Sequence, residues 1–250
     1  MVFRPSDPDS YDLQPLSREQ TAVGGQLPVK TLCFFHFNHT AKYRRISSAI
    51  LSKVAAIPPL KITIFDKENP TKILIASDLH GSAYWTRRLT EAISAEAPER
   101  ILLLGDLLYH GPRNDLPEGY APKEVIPMLT GLKDRLFCVR GNCDTEVDQM
   151  VLPFPILADY CLLEEKGFLI FATHGHNYNL DKPPLLKKGD ILLHGHTHVP
   201  ICKQTETFTY LNPGSVSIPK EGSCHSYMTL ENGAFLWKDL NGDVYNRFDL

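Results

Sequence analysis

The sequence predicts a layered α/β sandwich, and two observations predict it. Between residues 72 and 151, short apolar runs alternate with helical patterns, as in parallel strands joined by crossover helices. From residue 160 onward, short strand-like segments are separated by turn signals such as Asn212-Pro213-Gly214 and Asn232-Gly233. An alternating half followed by a strand-rich half indicates sheets stacked with helices.

The alternating half contains three predicted strands and three predicted helices. Ser82 is a suitable N-cap for the first helix, and Pro122 is tolerated in the first turn of the second. Leu89, Ile93 and Ala97 share one face of the first helix, so that face is predicted to be buried. The strands are predicted at 73–76, 101–104 and 135–139, and the helices at 82–96, 122–132 and 145–151.

The strand-rich half shows no internal repeat. Its predicted strand segments are three to six residues long, and turn signals separate them. Strands are predicted at 160–163, 168–173, 191–194, 201–203, 207–211, 227–230, 234–237 and 244–248.

Composition and charge exclude several classes of protein. Hydrophobic residues make up 43% of the chain and charged residues 22%, which is ordinary for a soluble globular protein. No apolar run reaches the ~18 residues of a membrane span. No signal peptide is evident, and no C-x-x-C pair occurs, so we expect a cytoplasmic protein with reduced thiols.

The charge divides the chain into two segments. Residues 1–65 hold eight Lys/Arg and four Asp/Glu, a net charge of +4, whereas the remainder holds 18 and 25, a net charge of −7. Such a domain suits cation binding and argues against nucleic-acid binding through phosphates. We predict an N-terminal extension at 1–71 and a main folded domain at 72–250. We expect the extension to be a disordered or peripheral tail, an upstream segment translated from a misplaced start, a transit peptide, or a membrane-surface or partner-binding segment with a basic amphipathic helix at 42–56.

Polar residues with metal-binding side chains follow the predicted strands. Asp106 follows a Gly at the carboxyl end of a strand, where ligands bind in open α/β sheets. A carboxylate has two oxygens, so one Asp can bind two cations. Asp78-x-His80 and His196-x-His198 would each project two side chains to the same side if they are extended. Such oxygen and nitrogen donors bind Mn²⁺, Fe²⁺ or Zn²⁺ without thiolate.

The order of these segments resembles a known family. D-x-H, G-D, G-N, H and G-H-x-H recur in this order in the calcineurin-like metallophosphoesterase superfamily, and residues 72–250 further resemble its YfcE-type bacterial phosphodiesterases. The resemblance implies a four-layer αββα sandwich. The motifs that carry it are ASDLHGS, LGDLLYHGPRNDLPEGYAP, VRGNCDTEVDQM, THGH, GHTHVP and NPGSVSIPK.

The resemblance also implies a ligand set for two divalent cations, with Mn²⁺ expected. Asp106 would bridge the two cations, together with a hydroxide. Two divalent cations, two Asp and one hydroxide leave a formal charge of +1, which attracts a phosphate ester. The first cation would be bound by Asp78, His80, Asp106 and His198, and the second by Asp106, Asn142, His174 and His196.

The catalytic residues expected from the resemblance are Asp106, Asn142 and Cys143, with His110 as a further candidate. Many superfamily members carry His after the G-N, where it can protonate the leaving group. Cys143 stands there in this chain, as in YfcE-type enzymes, and a thiol is a weak donor. His110, in the loop after Asp106, is either the replacement acid or a residue packed under its own loop.

The resemblance therefore implies hydrolysis of a small phosphodiester by in-line attack of the bridging hydroxide. Two alternatives stay open: a phosphomonoesterase, such as a nucleotidase or protein phosphatase, and a non-catalytic scaffold, because the fold also occurs in a retromer subunit. The filled set of ligand positions favours catalysis. The expected partners are the substrate and, as an open alternative, a second copy of the chain in a homo-oligomer.

Overall fold

The computed structural model describes residues 71–250. The predicted extension, including the helix at 42–56, lies outside the described residues. Within residues 71–250 no helix combines the length and the apolar character needed to span a membrane.

The described residues form eleven strands and three α-helices, with a short 3₁₀ helix at Lys133–Arg135. Every strand and helix predicted between residues 72 and 250 is present, and most ends differ from the prediction by one or two residues. The strands are β1 Ile73–Ala76, β2 Arg100–Leu103, β3 Leu136–Cys138, β4 Tyr160–Glu165, β5 Phe168–Thr173, β6 Ile191–His194, β7 Pro200–Gln204, β8 Thr209–Pro213, β9 Ser226–Glu231, β10 Ala234–Asp239 and β11 Val244–Asp249. The helices are α1 Ala83–Glu96, α2 Pro122–Thr130 and α3 Glu146–Val151.

The strands form two sheets. One sheet has six strands in the order β11-β10-β9-β1-β2-β3, in which β1, β2 and β3 are parallel. The other has five strands in the order β4-β5-β6-β8-β7, in which β5, β6 and β8 are parallel. Because the parallel strands of each sheet end at the same edge, the loops that follow them are brought together there.

The strands β1 and β2 of the six-stranded sheet are buried on both faces, as their apolar runs predict. Leu74 and Leu103 point towards α1 and α2, where they pack in one core with Leu89 and Leu129. Their neighbours in sequence point the other way, and Ile75 and the other inward residues pack against the five-stranded sheet in a second core. The predicted mixed α/β architecture of two sheets flanked by helices is confirmed.

One prediction about α1 is wrong. Ser82 caps this helix as predicted, because its side chain accepts a hydrogen bond from the backbone N–H of Trp85. Leu89 and Ile93 are buried, but Ala97 is exposed. Ala97 is the C-cap and has a left-handed backbone with φ of 46°, so it lies outside the helical face on which the period places it.

Candidate metal centre

All seven predicted metal ligands lie in loops that follow parallel strands. The six-stranded sheet supplies four of them and the five-stranded sheet supplies three. The former are Asp78 and His80 after β1, Asp106 after β2 and Asn142 after β3; the latter are His174 after β5, and His196 and His198 after β6.

The backbone at this edge is unusual. Five of the seven predicted ligands have positive φ values, a conformation that non-glycine residues rarely adopt. The Asp78-x-His80 and His196-x-His198 segments are therefore not extended, so the condition for side chains on one side of a strand is not met, and left-handed residues turn these side chains inward instead. Strain of this kind is concentrated at functional sites. The φ values are 59° for Asp78, 45° for His80, 56° for Asp106, 67° for His196 and 63° for His198.

A first group of donor atoms gathers around two imidazoles. The Nε2 atoms of His80 and His198 lie 3.2 Å apart. His198 Nε2 lies 3.3 Å from Asp78 Oδ1, and His80 Nε2 lies 3.7 Å from both Asp78 Oδ1 and Asp106 Oδ2. All four side chains are buried.

A second group of donor atoms surrounds His174 Nε2. Asn142 Oδ1 and His196 Nδ1 each lie 3.1 Å from it, and Asp106 Oδ2 lies 3.4 Å from it. The same Asp106 oxygen therefore faces both groups. This differs from the expectation that the two carboxylate oxygens divide the cations between them, because Asp106 Oδ1 accepts a hydrogen bond of 2.8 Å from the backbone N–H of Cys143.

The hydrogen bonds of the histidines determine which ring nitrogens are free. Nδ1 of His80, His174 and His198 donates to a backbone carbonyl, over 2.9, 2.6 and 2.6 Å respectively. A carbonyl only accepts, so each Nδ1 carries a proton, and each ring in its neutral, metal-binding form presents a lone pair at Nε2. The two groups thus consist of lone pairs and carboxylate or amide oxygens that face one another.

Atoms that can only accept repel one another unless a cation lies between them. Asp78 Oδ1 supports this view, because it is buried and has no hydrogen-bond partner among residues 71–250. Three trios of side chains have donor atoms within 4.8 Å of one another, and each includes Asp78 or Asp106. The donor set of carboxylate, amide and imidazole groups fits divalent cations such as Mn²⁺, Fe²⁺ or Zn²⁺.

The electrostatics of the centre favour positive charge at the same place. Burial opposes protonation of His174, but the Asp106 carboxylate and then Asp78 outweigh it and raise the pKa of this imidazole to about 9. Burial also opposes ionisation of Asp78, yet the adjacent His198 and His80 hold the pKa of its carboxyl well below the usual range. A cation is thus favoured where the acceptor atoms converge.

Comparison with known proteins agrees with this geometry. A family model described as the calcineurin-like phosphoesterase superfamily domain matches residues 71–233. The chain belongs to this superfamily. Among its relatives, the phosphodiesterase YfcE of Escherichia coli K12 is 47% identical over 163 residues, which cover 64% of this chain and 88% of YfcE. The phosphodiesterase MJ0936 of Methanocaldococcus jannaschii is 24% identical over 166 residues, which cover 63% of this chain and 87% of MJ0936.

A solved structure supports the same conclusion. The structure of Yfce, a phosphoesterase from E. coli, superposes with a TM-score of 0.69 and 41% identity. The match covers 71% of this chain and 98% of that protein. Both the recognition of the calcineurin-like phosphoesterase superfamily and the predicted fold class are thereby confirmed.

The loop that carries Asp106, the predicted bridging ligand, is held by a second carboxylate, that of Asp144. Asp144 is buried, and its Oδ2 accepts hydrogen bonds from the backbone N–H groups of Asp106 (2.8 Å) and Gly141 (2.7 Å). Its Oδ1 accepts a third, of 2.9 Å, from the N–H of Leu107. Asp144 therefore joins the loop after β2 to the loop after β3. Sequence reasoning missed this role, although the residue lies within the VRGNCDTEVDQM motif.

The backbone of Asp78 is held from the five-stranded sheet. The hydroxyls of Ser215 and Ser217 each donate to the Asp78 carbonyl oxygen over 2.9 Å. Asn212 lies near the end of β8, just before this loop, and its Nδ2 donates to the carbonyl of Gly195 and the hydroxyl of Thr197, over 2.9 and 3.0 Å. The segment at 212–217 thus fixes the loops that carry the predicted ligands.

The two candidates for the leaving-group acid lie in different places. Cys143 lines the cavity beside the centre, and burial, followed by the nearby Asp106 carboxylate, raises its pKa, so its thiol is neutral. His110 does not line that cavity; its ring packs edge-on against Tyr120, with 5.3 Å between ring centroids. Nδ1 of His110 is buried and has no hydrogen-bond partner within residues 71–250.

The other histidines near the centre occupy outer positions. His194 is buried and stacks on Tyr210 with 4.4 Å between ring centroids, and its Nδ1 donates to the carbonyl of Gly195. His176 is half-buried, and its ring centroid lies 5.5 Å from that of His174. Both therefore lie beside the predicted ligands.

Proposed function

We propose that the chain is a phosphodiesterase that depends on two divalent cations, most simply Mn²⁺. The observation that carries the proposal is the shared Asp106 oxygen, 3.7 Å from His80 Nε2 and 3.4 Å from His174 Nε2. One cation would be held by Asp78, His80, Asp106 and His198, and the other by Asp106, Asn142, His174 and His196. The names of YfcE and MJ0936 support a diester as the substrate.

When bound, a pair of divalent cations acidifies water and offsets charge on the phosphate during in-line displacement. The chain's own residues position the reactants. The Asn142 side chain is oriented by a hydrogen bond of 3.2 Å from its Nδ2 to Cys143 Sγ. Its Oδ1 then faces His174. The substrate would enter the adjacent cavity of about 320 Å³, which Asn142, Cys143 and the predicted ligands His80 and His198 line.

Two residues are candidates for the acid that protonates the leaving group. Cys143 is the thiol that faces the cavity, whereas His110 would have to act from outside the lining. If His110 supplies the proton, the substitution His110→Ala should slow turnover of an alkyl diester more than turnover of an activated aryl diester. Equal losses on both substrates would assign His110 to packing of its loop.

The activity is tested on the full chain after removal of metals with a chelator and reconstitution with Mn²⁺. We expect hydrolysis of bis(4-nitrophenyl) phosphate to appear only with added metal, and to exceed hydrolysis of the monoester 4-nitrophenyl phosphate. A faster monoester reaction would instead indicate a phosphomonoesterase. Full metal loading without activity on either ester would indicate a scaffold.

A further inference from the structure

The charges around the cavity are unequal. Among the described residues, its lining contains one carboxylate, Asp106, and two basic side chains, Arg113 and Lys220. Both cationic side chains are exposed at the rim. Within residues 71–250, neither head group makes an ion pair or a side-chain hydrogen bond, so both positive charges remain available to a ligand.

Lys220 is held beside a predicted ligand by its backbone. Its N–H donates to the carbonyl oxygen of His198 over 3.2 Å. Its own carbonyl accepts from the N–H and the hydroxyl of Ser223, over 3.0 and 2.6 Å. The backbone is therefore fixed on both sides, while the ammonium group stays unpaired next to the centre.

Arg113 is presented by a pinned turn on the other loop. The N–H of Asn114 donates to the carbonyl of Gly111 over 3.3 Å, and the Asn114 side chain donates to the carbonyl of His110 over 2.9 Å. Asn114 therefore stabilises the loop, and the Arg113 guanidinium is not needed for that purpose. Its fork of N–H donors matches the oxygens of a phosphate.

The scissile group alone does not account for both rim cations. Two divalent cations bound by two carboxylates leave a formal charge of +2, which one hydroxide and one singly charged diester cancel. Arg113 and Lys220 add two further positive charges that nothing in the described lining offsets. A dianionic group elsewhere on the substrate would balance them.

Aromatic stacking does not provide an alternative mode of recognition in this cavity. Apart from histidine, the described lining contains no aromatic ring. The two tryptophans are engaged elsewhere: Trp85 stacks on His225 with 3.4 Å between ring centroids, and Trp237 is fully buried with its Nε1–H donating to the carbonyl of Asn212. Selection by charge is thus favoured over selection by base stacking.

We propose that Arg113 and Lys220 determine specificity by binding a phosphomonoester group carried by the diester substrate. The preferred substrate class is a phosphodiester with a second, terminal phosphate on one of its ester groups. This inference rests on the proposed phosphodiesterase function.

A matched pair of chromogenic substrates tests the inference. Thymidine 5′-phosphate 4-nitrophenyl ester is compared with the same ester carrying a 3′-phosphate, on the Mn²⁺-reconstituted full chain. We expect kcat/KM to be about 10-fold higher for the 3′-phosphorylated ester, mostly through a lower KM. Charge-assisted hydrogen bonds at a solvent-exposed rim strengthen binding by about this factor. In the double variant Arg113→Gln/Lys220→Gln the ratio should fall to about 1.

Because the readout is the ratio of kcat/KM for the two esters, a general loss of activity in a variant does not change it. The matched control is Lys203→Gln, which removes an exposed lysine of β7 that does not line the cavity and should keep the wild-type ratio. A wild-type ratio of 1 or less, or an unchanged ratio in the double variant, would overturn the inference.

A binding measurement separates this inference from the proposed function. Calorimetry on the metal-loaded chain compares thymidine 3′,5′-bisphosphate with thymidine 5′-phosphate. We expect the bisphosphate to bind about 10-fold more tightly, and this preference to be lost in the double variant, even if neither ester is hydrolysed. Equal affinities in the wild type would overturn the specificity assignment, while an absence of turnover on its own would count only against the hydrolase.

Discussion

The two sheets contribute to the centre in different ways. The six-stranded sheet supplies both predicted carboxylate ligands, Asp78 and Asp106, whereas the five-stranded sheet supplies only imidazoles. In the carboxylate half, that is, the ligands after β1, β2 and β3, the Asp144 carboxylate accepts hydrogen bonds from three backbone N–H groups, one of them that of Asp106. In the imidazole half, that is, the ligands after β5 and β6, Nδ1 of His174 and of His198 donates to a backbone carbonyl.

This difference suggests that the two sheets have different roles in metal binding: one supplies the negative charge and the other the coordination geometry. Carboxylates attract cations and lower the electrostatic cost of placing them together, whereas neutral imidazoles complete the coordination geometry. Loss of a carboxylate should therefore impair metal binding and turnover more than loss of an imidazole. The variants below are ordered from the largest expected effect to the smallest.

The strongest test of the comparison is Asp106→Asn against His198→Ala. Asp106→Asn keeps the shape but removes the charge shared by both groups, so we expect turnover of bis(4-nitrophenyl) phosphate to fall by at least about 10³-fold. His198→Ala should lower metal affinity by about 10- to 100-fold and be partly rescued by excess Mn²⁺. Metal content by elemental analysis and steady-state kinetics check both. An equal loss in the two variants would contradict the division of roles.

Asp144→Asn tests the support of the carboxylate half. An amide has one acceptor oxygen where the carboxylate has two, and its N–H₂ would face a backbone donor. We expect a loss of about 2–4 kcal/mol in unfolding free energy and a loss of metal affinity of about 10- to 100-fold. Urea denaturation and metal titration measure these effects.

The matched control for Asp144 is Asp148→Asn, which alters the capping box of α3 in the same segment. It should cost about 1 kcal/mol and leave metal affinity unchanged. If Asp144→Asn lost stability alone, with full metal affinity, its support of Asp106 would not matter for the centre.

Asn212→Ala tests the support of the imidazole half. Its Nδ2 contacts the loop that carries His196 and His198, and its Oδ1 accepts from the N–H of Gly214 over 2.8 Å. We expect a loss of about 2 kcal/mol in stability and of about 10-fold in metal affinity, which is less than for Asp144→Asn. Asn246→Ala, an exposed position on β11, is the control and should change neither property. A larger effect on metal binding than Asp144→Asn would reverse the comparison.

Glu96→Gln changes the six-stranded sheet without reaching the centre. Glu96 at the end of α1 binds Lys72 and Lys238, both at 2.5 Å, and accepts from the Tyr227 hydroxyl at 3.0 Å. Burial opposes its ionisation, but Lys238, Lys72 and Tyr227 together lower its pKa below the ordinary 4.5. The variant should cost about 1–2 kcal/mol at neutral pH and leave kcat unchanged.

The pH dependence of this cost has a defined sign. A depressed folded-state pKa stabilises the protein above the unfolded value, and the stabilisation is lost as pH falls through the folded pKa. The stability difference between wild type and Glu96→Gln should therefore be full at pH 7 and narrow below about pH 4.5. Thermal denaturation across this range measures it, and a difference that widened in acid would contradict the assignment.

Sequence reasoning located the strands and the predicted ligands because both leave local signals. Apolar runs such as that of β2 mark buried strands, and the D-x-H and G-H-x-H spacings mark the ends of β1 and β6. It could not give the left-handed backbone of Asp78 and His198, since the backbone hydrogen bonds of these residues join loops far apart in sequence.

Long-range contacts explain the remaining gaps. The role of Asp144 depends on N–H groups in a loop more than thirty residues upstream. Lys220 is held beside the cavity because its backbone N–H donates to the carbonyl of His198. Neither partner is visible in local spacing. Conversely, His110 lies close to Asp106 in sequence but packs against Tyr120, so proximity in sequence does not place it in the cavity.

The most direct test of the central claim is anomalous diffraction from Mn²⁺-loaded crystals of the full chain. The account predicts two anomalous peaks about 3.5–4 Å apart. One peak should lie by His80 and His198, the other by His174 and His196, with Asp106 Oδ2 between them. A single peak, or peaks away from Asp106, would contradict the shared carboxylate on which the proposed function depends.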